Sequence, residues 1–486
     1  MATQSLTTAE SRMKGTVAPM STSIPHKADA LLPVDERLRD LARELYEDVA
    51  AAPIISPHGH VDPALLLRDQ PFPDPAELLI TNDHYITRLL FASGASFADF
   101  GRDARALSDP REVWRLLASS WHRFAGTASG YWLEHELATL FDVRDELTGE
   151  NADAVYDRIM AVLGEPRFRP RALFTQFGIE VLATTDDPLD DLEVHRLLAG
   201  EPTMTGRVLP TFRPDAYLDP AGADFADRVQ ALLDVTERPG TFAGYLRALE
   251  DRRAYFVSRG AVSADHGVFE PFTTDLSETD ADRLFRGARD GVLDPAEQRL
   301  FRGHMLFQMA RMSVADGLVM TVHPGVRRNH NATLFEKYGA DAGHDIPVRV
   351  EYTDNLRPLL NAFGTAPGFH LVLFSIDETV YSREVAPLAG FYPSVYIGAP
   401  WWFLDAPDAV LRFRSAVTET AGFYRSSGFI DDTRAFLSIP ARHDMSRRMD
   451  ASFLSRLVAE ERVSMPTARR IARDLVDAIP REVFKL

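Results

Sequence analysis

Cysteine is absent from this 486-residue chain. That excludes disulfides, thiolate metal sites and a cysteine nucleophile. Lysine is nearly absent: only Lys14, Lys27, Lys337 and Lys485 stand among 53 basic residues, the rest being arginine. Schiff-base chemistry, or a lysine carbamate bridging two metals, would have to fall on Lys337, and nothing around it supports either. No apolar run reaches about 18 residues, so no spanning helix is expected. No Gly-rich GxGxxG or Walker loop follows any apolar run, which weighs against a nucleotide-binding open sheet. Positive charge is in deficit, with 71 acidic residues against 53 basic ones and a net charge of −18. This argues against a nucleic-acid partner or an anionic membrane, both of which need a basic face.

With 45% apolar residues, the chain has ordinary globular composition and the length to bury a large core. Residues 1–30 are rich in Ser, Thr, Ala and Met without periodicity, and read as a flexible tail rather than a signal peptide. Val34, Leu38, Leu41 and Leu45 then recur at helical spacing. A stretch from about 62 to 178 is helical by pattern and carries Trp114, Trp121, Tyr131 and Trp132.

Elsewhere one unit recurs: a short apolar, β-rich run, a polar cluster at its C-terminal end, then a helix. The runs are Ile54-Ile55, Val181–Ala183, Val208–Pro210, Ala261-Val262, Leu318–Val322, Leu371–Phe374, Val395–Ile397 and Phe429-Ile430. Eight such units predict an α/β fold, a (β/α)8 TIM barrel with a large helical insertion after strand 1. Residues 31–486 would form a single domain, its functional groups at the C-terminal strand ends.

The polar clusters carry the chemistry. In His58-Gly59-His60 the two imidazoles are i and i+2, so on a strand both face one way. His323 ends the fifth run and Asp432 the eighth. In a closed barrel these tips converge, giving three nitrogens and one oxygen with an open position, a donor set suited to Zn²⁺. The alternative is a pair of structural histidines. Arg213, Arg328 and Arg434 lie at or near tips three, five and eight. Arginine suits bidentate binding of carboxylates, so the substrate is expected to be anionic, unless each merely pairs with a nearby aspartate. Asp83-His84-Tyr85, with Arg88 one turn on, offers acid–base groups or a structural turn. Trp401-Trp402 offers an apolar wall or core packing.

In order along the chain, Pro53-Ile54-Ile55 with His58-Gly59-His60, Asp83-His84-Tyr85, Thr184-Thr185-Asp186-Asp187-Pro188, Phe212-Arg213-Pro214-Asp215, Ser263-Ala264-Asp265-His266-Gly267, His323-Pro324-Gly325, Trp401-Trp402-Phe403 and Asp432-Thr433-Arg434 resemble the uronate isomerase family of the amidohydrolase superfamily. The resemblance covers roughly residues 35–486. The chain departs from the family pattern at Ser56, where the family usually has an acidic residue, and at Asp431–Ala435. The resemblance implies interconversion of D-glucuronate with D-fructuronate, and of D-galacturonate with D-tagaturonate, through a cis-enediolate.

On that reading His58, His60, His323 and Asp432 hold one divalent metal, Zn²⁺ being expected. Asp432 or Tyr85 is the base and His84 polarises the carbonyl. Arg213, Arg328 and Arg434 hold the carboxylate and hydroxyls, with Trp401 and Trp402 beside them. The partner is a small-molecule uronate, and the chain is expected to be a cytoplasmic homo-oligomer. A metal-dependent hydrolase on the same barrel is disfavoured. Asp377-Glu378 ends strand six without a histidine, strand four has no lysine, and Val326 stands where a deaminase has glutamate after His323. A non-catalytic sugar-acid binder would need the arginines but not the histidine pair.

Overall fold

The computed structural model of the chain describes residues 28–100 and 109–486. The tail expected over 1–30 lies largely outside the described residues. Its last three residues are anchored: buried Arg448 donates to the carbonyls of Ala28 and Ala30 at 2.7 and 3.2 Å. The helix expected from residue 34 runs Glu36–Glu47, capped by Asp35. Val34 lies before it and is exposed.

The strands are short and mostly buried. In chain order they are β1 (Ile54–Ser56), β2 (Ile179–Ala183), β3 (Arg207–Leu209), β4 (Ser263–His266), β5 (Val319–Val322), β6 (Val326–Arg327), β7 (Ile346–Pro347), β8 (Leu371–Leu373) and β9 (Val395–Ile397). β1-β2-β3 form one parallel sheet and β4-β5-β8-β9 another, while β6 and β7 pair as a small antiparallel hairpin. Phe212 bridges to Asp186 on one side and Ala264 on the other, and Ile397 bridges to Ser426. Setting the hairpin aside, neighbours therefore follow chain order, as right-handed βα units require.

Two expected strands come out differently. In the fourth unit the polar residues themselves are the strand: Ser263, Ala264, Asp265 and His266 are all buried. They can be buried because the register sets Asp265 against Thr321, whose hydroxyl donates to the carboxylate at 2.6 Å. Phe429-Ile430, expected as strand eight, is irregular, and among the described residues no ladder closes the two sheets into a barrel. Gly428 (φ 75°) and Asp432 (φ 42°) take left-handed conformations that interrupt extended backbone. The first and eighth tips still touch, with the His60 amide donating to the Thr433 carbonyl at 3.0 Å.

Helices surround the sheets. Pro295–Asp316 shows why they form where they do. Asp294 caps it and completes a capping box with Glu297, proline occupies its first turn, and Gly317 ends it at φ 82°. Between β1 and β2 the chain forms Pro63–Arg68, His84–Ala92, Pro110–Ser119, Ala128–Leu140, Ala152–Leu163 and Pro170–Gln176. These helices share a core (Trp114, Ile159, Phe168, Phe174) that continues onto Ile54, Ile179 and Leu182 of the sheet. The insertion thus packs on the strands that carry the histidine pair. No helix among the described residues is long and apolar enough to cross a membrane.

Candidate active site

His58 and His60 lie just past the end of β1, in the loop rather than on the strand. They nonetheless converge: His58 Nε2 is 3.4 Å and His60 Nε2 3.0 Å from Asp432 Oδ1. His60 Nδ1 is tied to the Thr185 hydroxyl at 2.7 Å, which fixes the ring from the tip of β2. His323 follows β5 directly and stacks on His58 at 4.6 Å between centroids. His58, His323 and Asp432 each offer a ligand atom within 4.8 Å of the others. His60, expected in the same ligand set, adjoins this trio: besides Asp432 and Thr185 it meets the His58 ring edge-on at 5.2 Å between centroids.

Asp265 organises the trio from behind. His323 Nδ1 lies 2.6 Å from Asp265 Oδ1. A carboxylate only accepts, so Nδ1 carries the proton and Nε2 is left with its lone pair. Nε2 is buried and has no hydrogen-bond partner. A metal-binding histidine commonly has this arrangement, one nitrogen held by a carboxylate and the other free to bind. The residues therefore fit a divalent ion: an orphaned buried imidazole nitrogen, a second imidazole and a carboxylate at mutual ligating range. Asp265→Asn is expected to weaken divalent-ion binding about 10–100-fold. Competition against a chromogenic chelator reads this, and unchanged affinity would show that Asp265 does not orient His323.

Electrostatics keeps the carboxylates charged. Burial alone would raise Asp432, but His58 and His60 overcome it and hold it well below the usual carboxylate range. Burial likewise opposes ionisation of Asp265, and His323, His58 and Arg213 reverse the balance. Burial takes His60 down to about 4. It takes His84 to about 3, helped by Arg434, so both are neutral imidazoles at pH 7. For His58 burial is outweighed by Asp265 and Asp432, and its affinity for a proton rises.

A cavity of about 340 Å³ opens beside this group, and His60, His84, Tyr85, Arg213, Arg328, Trp401, Trp402, Asp432 and Arg434 all line it. Of the sequence-predicted residues, His58, His323 and Arg88 are not among the lining. Asp83 caps the helix His84–Ala92, accepting from the Tyr85 amide, and so presents His84 and Tyr85 from its first turn. The arginines are placed in a way that both readings allow. Each faces the cavity, and each also pairs with an aspartate: Arg213 with Asp215 at 2.9 Å, Arg328 with Asp345 at 3.0 Å, Arg434 with Asp341 at 2.9 Å.

Tyr85 is less free than the sequence suggests. Its hydroxyl donates to Asp405 at 2.9 Å. Burial, then Asp405, pushes its pKa well above 10. Asp405 also accepts from fully buried Arg442 at 2.8 Å. Trp402 (φ 30°), Phe403 (φ 55°) and Asp432 (φ 42°) hold strained backbone at the cavity, each at a cost of about 1–3 kcal/mol.

A family model described as glucuronate isomerase matches residues 36–484. The chain belongs to the glucuronate isomerase family. It is an isomerase, 52% identical over 469 residues to a uronate isomerase of Corynebacterium efficiens, covering 96% of this chain and 100% of the relative. A uronate isomerase of Xanthomonas campestris is 50% identical over 463 residues, with 94% and 98% covered. The crystal structure of glucuronate isomerase from Caulobacter crescentus superposes with a TM-score of 0.92 at 44% identity, covering 94% of this chain and 96% of that one.

Three groups of this isomerase site were not picked out from sequence. Asp265 was visible as an acid in the fourth unit and Arg442 in an Arg-His run, but neither carries a local signature of its role. Asp405 has no sequence signal at all; only its contacts with Tyr85 and Arg442, 320 and 37 positions away, reveal it.

Proposed function

We propose that the cavity interconverts D-glucuronate with D-fructuronate, and D-galacturonate with D-tagaturonate, by proton transfer between C2 and C1 of the open-chain sugar acid. The observation that carries this reading is Asp432, a buried carboxylate kept ionised by two histidines, in a cavity that arginines line. Asp432 takes the C2 proton, leaving a cis-enediolate. His84, neutral at working pH, donates a hydrogen bond to the carbonyl oxygen at C1, where negative charge develops. Asp432 then returns the proton to C1. Tyr85, with its proton held firmly, serves as a donor and not as the base. Arg213, Arg328 and Arg434 bind the substrate carboxylate and hydroxyls, and Trp401 and Trp402 wall the chain in and exclude water.

His58, His323 and Asp432, with His60 adjoining, would hold one divalent ion, for which Zn²⁺ suits the donor set. When bound, it supplies Lewis-acid stabilisation of anionic oxygen. The finer architecture belongs to the same reading. Seven parallel strands in chain order, with the segment after Ser426 in the eighth position, are taken as a (β/α)8 barrel whose insertion, about 62–178, sits within a single domain. The small-molecule uronate would be met in the cytoplasm by a homo-oligomer, whose mass light scattering after size exclusion measures.

NMR of product formed in D₂O tests the chemistry. Because the abstracted proton rests on a group at the cavity wall, ketose should form with deuterium at C1, at least in part. Ketose with no C1 label even under prolonged incubation favours direct hydride transfer, and no ketose from either uronate sinks the proposal.

A further inference from the structure

Five arginines line the cavity: Arg68, Arg213, Arg328, Arg434 and Arg442. Four have an aspartate within 3.0 Å: Arg213, Arg328, Arg434 and Arg442. Arg68 differs. Its guanidinium makes no ion pair, hydrogen bond or ring contact with any described residue. The adjacent carboxylate, Asp69, is already taken by the backbone amide of Arg171 at 3.0 Å and by its guanidinium at 3.3 Å.

The base of Arg68 is nevertheless pinned. It ends the helix Pro63–Arg68 that follows the histidine pair, and Asp69 stops that helix in a left-handed conformation at φ 48°. The Gln70 side chain donates to the Arg68 carbonyl at 3.1 Å. Gln70 itself lines the cavity. A cation is thus held on a fixed backbone at the exposed rim, with no carboxylate partner among the described residues.

We infer that Arg68 is the rim residue that captures the substrate carboxylate and draws it into the cavity, making it a determinant of selectivity for anionic sugars. The inference rests on the uronate reading above. An incoming carboxylate must compete with Asp215, Asp345 or Asp341 for the inner arginines, whereas at Arg68 no described residue competes with it. The need is physical. A chain of net charge −18 repels an approaching anion, and a local uncompensated cation at a cleft raises the encounter rate, an effect that salt screens. Because Arg68 is exposed and lies outside the trio of His58, His323 and Asp432, its contribution belongs to association rather than to the proton transfer.

Steady-state kinetics of the metal-loaded full-length enzyme with D-glucuronate, at about 20 mM and about 300 mM salt, tests this. Arg68→Gln should raise KM about two- to tenfold at low salt, with the loss in kcat/KM confined to KM. The difference should shrink at high salt, and Arg68→Lys should retain most of the wild-type KM. An unchanged KM, a loss confined to kcat, or a loss that salt does not alter overturns the inference. Failure of the wild-type enzyme to turn over either uronate overturns the functional reading and this inference together. Wild-type turnover with an indifferent Arg68→Gln variant overturns this inference alone.

Discussion

Asp432→Asn should reduce kcat on D-glucuronate by about 10²–10⁴-fold, the usual contribution of a general acid–base group. Its carboxylate lies within 3.0 Å of His60 and 3.4 Å of His58, and 9% of the side chain is exposed. The amide keeps the shape but removes the charge that these imidazoles stabilise, and it is a far weaker base and ligand. Metal content and turnover must be measured on the same sample. A variant that keeps its metal but loses turnover assigns Asp432 to the proton. Loss of both assigns it at least to the ion. Full activity with full metal content would show that another group is the base.

Arg442→Met should destabilise the fold by about 3–5 kcal/mol, the range for breaking one side of a buried ion pair. Arg442 and Asp405 have side chains 2% and 6% exposed and meet at 2.8 Å. The guanidinium also bonds the Ser438 hydroxyl at 3.0 Å and lies 3.6 Å from the Trp132 ring centroid. Without it, buried Asp405 keeps only the Tyr85 hydroxyl from the pair of donors it now has. Burial already raises the Asp405 pKa and Arg442 opposes that rise, so in the variant Asp405 should hold a proton more readily. Urea unfolding of the variant, and of Arg442→Met combined with Asp405→Leu, reads the effect. The double change should recover much of the loss, because it removes the buried carboxyl left without its main partner. A loss of less than about 1 kcal/mol in the single variant would count against the pair as a structural element.

Much of the site was legible because its chemistry is local. His58 and His60 are two residues apart, and His323 sits at the end of the β-rich run Leu318–Val322. Asp432 stands next to the eighth run, and the arginines follow their tips closely. The helical insertion was legible from its periodicity, and its caps, such as Asp109 before Pro110, lie within a turn of the helices they start. The polar β4 was misread because Ser263–His266 has the composition of a loop. Only pairing with β5, which supplies Thr321 and His323 as partners for Asp265, makes its burial possible.

By itself the sequence determined the order of the parallel strands and the family, and it marked His58, His60, His323 and Asp432 as candidate ligands, since each depends on residue types at short spacing or on ordered motifs. Tertiary structure alone decided that His60 lies between Asp432 and Thr185, that Tyr85 is tied to Asp405, that each inner arginine has an aspartate while Arg68 has none among the described residues, and that among those residues no ladder fills the eighth position. The physical reason is common to all four. Hydrogen bonds and ion pairs act over about 3–4 Å, and the course of the backbone decides whether the partner is a near neighbour, as Asp215 is for Arg213, or lies 320 positions away, as Asp405 does from Tyr85.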